Sequence, residues 1–156
     1  MTERHSLRSA VYWAPIRDNK VLLIRRFNTG WRDGDYTLIG GHLDGNETVT
    51  DALLREAKEE SGIVLKKEAV QVAHTMHRNS LKGRNRDGYH EYIDFFLTAN
   101  RWEGEPRIME PEKCDNMQWF PLDALPDNTL YYIKDVLQHI QNGVTFSESG
   151  WNGDAI

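Results

Sequence analysis

The stretch from Gly40 to Ile63, GGHLDGNETVTDALLREAKEESGI, constrains this chain more than any other. It opens on glycines, turns helical and closes on glycine. Thr48 is placed to cap the helix, with Asp51 in the acid position of a capping box. Gly62 can take the left-handed conformation that ends it. At about 3.6 residues per turn, Val49, Leu53 and Ala57 form one apolar stripe, with Ala52 at its edge. Glu56 and Glu60 fall at nearly the same angle as Val49 and Leu53, with Glu59 beside them, while Asp51 and Lys58 project to the opposite face. The inward stripe is hydrocarbon in its first half and carboxylate in its second. Leu54 lies off it, which implies that the helix is covered on a second side.

An acidic run usually marks a solvated face. Here the acids continue the stripe that enters the fold. Carboxylates at i, i+3 and i+4 repel one another, and unpaired ionised acids are costly in an interior. A hard divalent cation relieves both problems, and oxygen ligands of this kind suit Mg²⁺ or Mn²⁺. The competing reading is a structural domain with a solvated acidic helix, and metal-dependent stabilisation separates the two.

The spacing Gly41-x5-Glu47-x7-Arg55-Glu56-Ala57-x-Glu59-Glu60-x-Gly62-Ile63 resembles the Nudix box with every fixed position filled. A weaker resemblance runs from about Arg8 to Gln138, and the string RWEGEP at Arg101–Pro106 is similar to MutT-type sequences. The resemblance implies an α/β fold: an α/β/α sandwich with a mixed β-sheet and a loop-helix-loop catalytic motif. It also implies metal-dependent hydrolysis of nucleoside diphosphates linked to another group X. The implied metal ligands are the Gly40 carbonyl, Glu56, Glu59, Glu60 and, from outside the box, Glu110, with Glu112 as the alternative. Glu56 is the implied general base, and Arg55, paired with Glu47, orients the carboxylates. Arg26 and Asn128 stand where MutT-like enzymes contact the nucleotide. Ile39 departs from the proline most relatives carry before the glycines; it removes no chemical group.

Within that family the MutT-like features favour a nucleoside triphosphate, oxidised purine nucleotides such as 8-oxo-dGTP included, cleaved to monophosphate and pyrophosphate. Nucleotide sugars, dinucleoside polyphosphates and capped RNA remain open, because the box reports the cleaved group and says little of X. A non-catalytic nucleotide-binding module is a third class. Such domains lose box acids, and this chain has kept them.

At 156 residues the chain reads as a single domain, 1–156, with a core of about 8–142 and a C-terminal tail of 143–156. A net charge of −5 argues against general nucleic-acid binding, although bound metal lets an acidic protein take phosphates. A small-molecule nucleotide is therefore the expected partner. Cys114 is the only cysteine and reads as a packed thiol, with no internal disulfide. The absence of a long apolar run or a signal-peptide core leads to the expectation of a cytoplasmic protein with no membrane partner. Oligomeric state stays open, a homodimer included.

Arg8–Ala14 and Val21–Arg26 read as strands flanking a turn at Asp18-Asn19-Lys20, consistent with a hairpin. Trp31, in the loop Phe27–Asp35, either stacks on a base or covers the core edge. Tyr36–Ile39 is a short strand feeding the glycines, and Ala69–Met76 and Tyr89–Ala99 read as long strands. Lys82, Arg84 and Arg86 sit in the connection between them, a solvated loop or a phosphate-facing flap. His74 and His77 are split by their odd spacing, which with no third ligand argues against zinc. Asn116–Pro121 is the last expected strand. Thr129–Asn142 is a helix with Ile133, Val136, Leu137 and Ile140 on its core face, and Asn128 is its alternative cap. Phe146 and Trp151 are candidate anchors for the tail, on this chain or a partner.

Overall fold

The structure, a computed structural model, describes residues 2–80 and 91–151. The connection carrying Lys82, Arg84 and Arg86 lies outside the described residues. In chain order the elements are β1 (Arg8–Trp13), β2 (Ile16–Arg17), β3 (Lys20–Arg26), β4 (Tyr36–Thr37), β5 (Ile39–His42) and α1 (Val49–Ser61). A 3₁₀ turn at Lys67–Ala69 then leads to β6 (Val70–Asn79), β7 (Glu91–Ala99), β8 (Cys114–Pro121), α2 (Tyr131–Gln141) and β9 (Phe146–Ser149).

The strands form two sheets. One is mixed and five-stranded, in the order β5-β1-β7-β6-β9, with β1–β7 and β6–β9 parallel. The other is antiparallel and has β3 at its centre, paired with β2, β4 and β8. The expected first hairpin is made by a different pair. Pro15 separates β1 from β2, and β2, not β1, returns against β3. The turn itself is as expected, with Asp18 and Asn19 both in the left-handed region (φ 51° and 58°) that such hairpins need.

Strand alternation sends side chains to two cores. Val11, Trp13, Leu22, Ile24 and Leu97 pack with Ala52, Leu53 and Ala57 of α1. Ala14, Val21, Leu23, Met76 and Phe96 pack with Tyr132, Ile133, Val136 and Leu137 of α2. Each large side chain so buried contributes on the order of 1.5–3 kcal/mol. A helix therefore covers each side of the sheet layer, which is the expected sandwich.

Helix α1 begins and ends as its sequence predicts. The Asp51 N–H donates to Thr48 Oγ1 at 3.0 Å, and Gly62 closes the helix at φ 74°. Leu54 is half-buried against the first core. Helix α2 begins two residues later than expected, at Tyr131, and its cap is Leu130. Asn128 does not cap it. The tail forms β9 alongside β6, and Trp151 Nε1 donates to the His77 carbonyl at 3.2 Å, so this anchor is on its own chain. The Phe146 side chain is exposed, and the residue is tied in only as a strand partner of Thr75. His74 and His77 are spent on structure. His74 Nδ1 lies 2.7 Å from the Val144 carbonyl, and its Nε2 2.7 Å from Ser147 Oγ. His77 Nε2 lies 2.8 Å from Glu91 Oε1.

Candidate active site

Gly40 is required by close approach to backbone, and Gly41 leaves the room that the Glu56 carboxylate occupies. A Cβ on Gly40 would overlap the Val11 carbonyl, because β5 lies directly on β1. A Cβ on Gly41 would overlap the Glu56 carboxylate. The strand must pass without side chains for the helix to present its acids here.

Glu60 reaches back from the last turn of α1 and accepts the Gly40 N–H at 2.8 Å. Burial pushes its carboxyl up to about 8, opposed by the Gly40 bond and by Lys113, and reinforced by Glu56 and Glu110. Burial likewise raises Glu56, against the pull of Arg55. Glu110 therefore sits close enough to act on both helix acids. It is held by a salt bridge from Lys113 Nζ at 3.0 Å, and its loop is tied to α1 by the Arg107 N–H donating to the Ser61 carbonyl at 3.0 Å. Glu59 lies at the outer edge, its side chain half exposed.

Arg55 gathers this face. It donates to Glu47 through Nε at 3.1 Å and Nη2 at 2.8 Å, to Glu56 Oε1 at 2.8 Å, and to the His42 carbonyl at 3.2 Å. The Arg55 bond, then the Asp44 N–H, holds the Glu47 carboxyl below its usual range. Arg55→Ala is expected to lower turnover about 10–100-fold, as loss of an orienting partner does, with a small change in Tm. Lysine at this position does not restore turnover, because it lacks the planar fork. Steady-state rates alongside thermal melts check this; normal turnover in folded Arg55→Ala contradicts it.

Among the described residues no three His, Cys, Asp or Glu side chains are gathered closely enough to hold a metal ion as they stand. Arg55 and Lys113 stand against Glu56 and Glu110 as counter-ions instead. The donor chemistry nevertheless fits a hard divalent cation. The donors are oxygens, and Glu60, beside two further acids, is held protonated by its burial, so a cation that takes the place of that proton lets it ionise.

A cavity of about 360 Å³ opens beside Glu60, Gly40 and Gly41. Arg26 and Trp31 line it. Arg26 Nε donates to the Trp31 carbonyl at 2.7 Å, and its guanidinium lies 4.9 Å from the Trp31 ring centre. Arg25, by contrast, turns outward to Asp115. Asn128 does not line the cavity. Its Nδ2 donates to the Gly34 carbonyl at 2.7 Å, steadying the loop that carries Trp31.

The cavity floor was not anticipated from the sequence. It consists of Tyr12, Tyr92, Tyr132 and Arg78, with His42 stacked on Tyr92. Arg78 is buried in an ion pair with Asp94 at 2.6 Å, and its guanidinium lies 4.5 Å from the Tyr92 and 4.2 Å from the Tyr132 ring centres. One signal was available. Arg78 continues the buried alternation of His74 and Met76 along β6, and Asp94 that of Tyr92 and Phe96 along β7, so both charges sit at core positions.

Comparison with known proteins agrees with this fold. The NUDIX domain family model matches residues 6–139. An ADP-ribose pyrophosphatase of Methanocaldococcus jannaschii is 46% identical over 50 residues, 32% of this chain and 29% of that protein. An uncharacterised Nudix hydrolase of Bacillus subtilis is 29% identical over 111 residues, 69% of this chain and 62% of that protein. The chain thus spans less than two thirds of the length of these curated relatives. The crystal structure of a MutT NUDIX hydrolase from Burkholderia pseudomallei superposes with a TM-score of 0.73 at 28% identity, covering 86% of this chain and 98% of that one. With its filled box folded as loop, helix and loop and a family match along most of its length, the chain belongs to the NUDIX domain family.

Proposed function

We propose that this protein hydrolyses a phosphoanhydride bond in a nucleoside diphosphate linked to X, with a divalent cation, Mg²⁺ or Mn²⁺. A nucleoside triphosphate cleaved to monophosphate and pyrophosphate is the preferred substrate. The observation that carries the reading is the half-buried Glu60, crowded by Glu56 and Glu110 at the mouth of a cavity with aromatic and cationic walls. Rings at the cavity wall offer faces for a base, while Arg26 and Lys113 supply positive charge.

Glu56, Glu59, Glu60, Glu110 and the Gly40 carbonyl would hold the cation, which supplies charge to the phosphate oxygens and acidifies a nearby water. Glu56 accepts the proton of the attacking water, a role its burial-raised pKa suits. The water oxygen bonds to phosphorus, and the bridging P–O bond breaks. The bridging oxygen leaves on the departing phosphate. Arg55 keeps Glu56 aimed, and Glu47 keeps Arg55 in place.

A second reading, ADP-ribose hydrolysis, is favoured by the local match to the archaeal pyrophosphatase. The test is product release with Mg²⁺ from normal and oxidised dNTPs, ADP-ribose, a nucleotide sugar and a dinucleoside polyphosphate. Metal-dependent turnover that ranks these substrates supports the enzyme and identifies X. No turnover by folded, metal-binding protein moves the reading to a nucleotide-binding module.

A further inference from the structure

The cavity accounts for one side of the row of box acids. On the other side lies an open groove of about 610 Å³ lined by Arg55, Lys58, Glu59, Gly62, Arg107 and Met109. Helix phase explains the arrangement. Glu60 and Glu56 face inward, Glu59 and Arg55 follow around the helix, and Lys58 comes next. The acids thus separate two compartments on one helix.

The charge of the groove is unlike that of the rest of the chain. It holds three cations, Arg55, Lys58 and Arg107, against one carboxylate, Glu59, in a protein of net charge −5. Arg55 is already engaged by Glu47 and Glu56. Arg107 and Lys58 form no salt bridge among the described residues, and the one side-chain partner of Arg107 is the Met109 sulfur, at 3.2 Å from its Nε. A thioether is a weak acceptor, so the guanidinium keeps its capacity for an anion. Its backbone is fixed, since the Arg107 N–H is bonded to the Ser61 carbonyl, and its side chain lies over Gly62, where any Cβ would meet Arg107 Nε at 3.8 Å.

We propose that Arg107 and Lys58 form an anion subsite for the terminal phosphate of X, on the side of the acids away from the nucleoside cavity. This deepens the proposed hydrolysis and rests on it. A nucleoside in the cavity, with its phosphate chain crossing the acids, places further phosphates at Arg107. The subsite therefore favours an X that ends in phosphate, as in a triphosphate, over an uncharged sugar.

Calorimetric binding of magnesium pyrophosphate and, separately, of a nucleoside monophosphate tests this on the full chain. For Lys58→Ala/Arg107→Ala, pyrophosphate affinity is expected to fall about tenfold or more, the scale of losing charge-assisted bonds, while monophosphate affinity stays unchanged. Arg107→Lys retains part of the pyrophosphate affinity. Unchanged Tm accompanies both. Equal losses for both ligands, no loss for either, or no pyrophosphate binding by the wild type overturns the subsite. The result is separable from the proposed hydrolysis: wild-type turnover with an unaffected double variant sinks the subsite alone, whereas a wild type without turnover sinks the hydrolysis whatever the calorimetry shows.

Discussion

Glu60→Gln is expected to lower metal-dependent turnover by at least about a hundredfold, beyond the loss usual for an outer partner, while the metal-free protein becomes more stable at pH 8. Both effects come from one carboxylate. Burial raises the folded carboxyl from an ordinary value of 4.5 to about 8. Between these two values the folded state holds a proton that the unfolded state has released. The stability contributed by that proton is complete below about pH 4.5 and is lost as pH rises through about 8. The slope approaches 1.4 kcal/mol per pH unit at most, or about that. Glutamine keeps the shape without the titration. Melts in chelator between about pH 5 and 9 should show the wild type losing Tm and Glu60→Gln holding level by comparison. Adding Mg²⁺ should return stability to the wild type at pH 8, since a cation that binds the ionised acids stabilises the folded state. Parallel pH profiles, or full turnover in the variant, would remove Glu60 from the centre of the site.

Asp94→Ala is expected to cost about 3–5 kcal/mol, the penalty for stripping one partner from a buried ion pair. Asp94 is 0% exposed and its partner Arg78 5% by side chain, at 2.6 Å. Alanine leaves the guanidinium charged between two tyrosine rings with no carboxylate. The double change Asp94→Leu/Arg78→Met removes both charges and is expected to recover much of the loss. It also strips the cavity floor of its cation, so nucleotide affinity falls even where stability returns. Chemical denaturation of the single and double variants decides this. Equal destabilisation in both would mean that the lost packing, rather than the unpaired charge, is what matters.

The helix was legible because local rules govern it. Thr48, Gly62 and the Val49–Leu53–Ala57 stripe each act within a turn or two, and each stands where expected. The inward acids were legible for the same reason. Asn128 was not, because the same residue can cap a helix, read a base or bond a loop, and the choice belongs to Gly34, far off in sequence. The hairpin partner was misassigned because β1 is claimed by β5 and β7, contacts to which no local signal points. Arg78 and Asp94 show the same limit. Alternation places both at core positions, but only the β6–β7 register brings them together.

That register, with the parallel pairing of β1 to β7, also bears on how the protein is made. Tyr12 lies beside Phe96 across the sheet, and Arg78 lies opposite Tyr92 on one side and Ser149 on the other. The wall of the cavity is thus built from segments that leave the ribosome at widely separated times. Contacts of such sequence separation close slowly. During synthesis one edge of the first strand can be covered early by β5, but its other edge must wait for β7, some eighty residues downstream, so chaperone dependence should be concentrated in the N-terminal third of the chain.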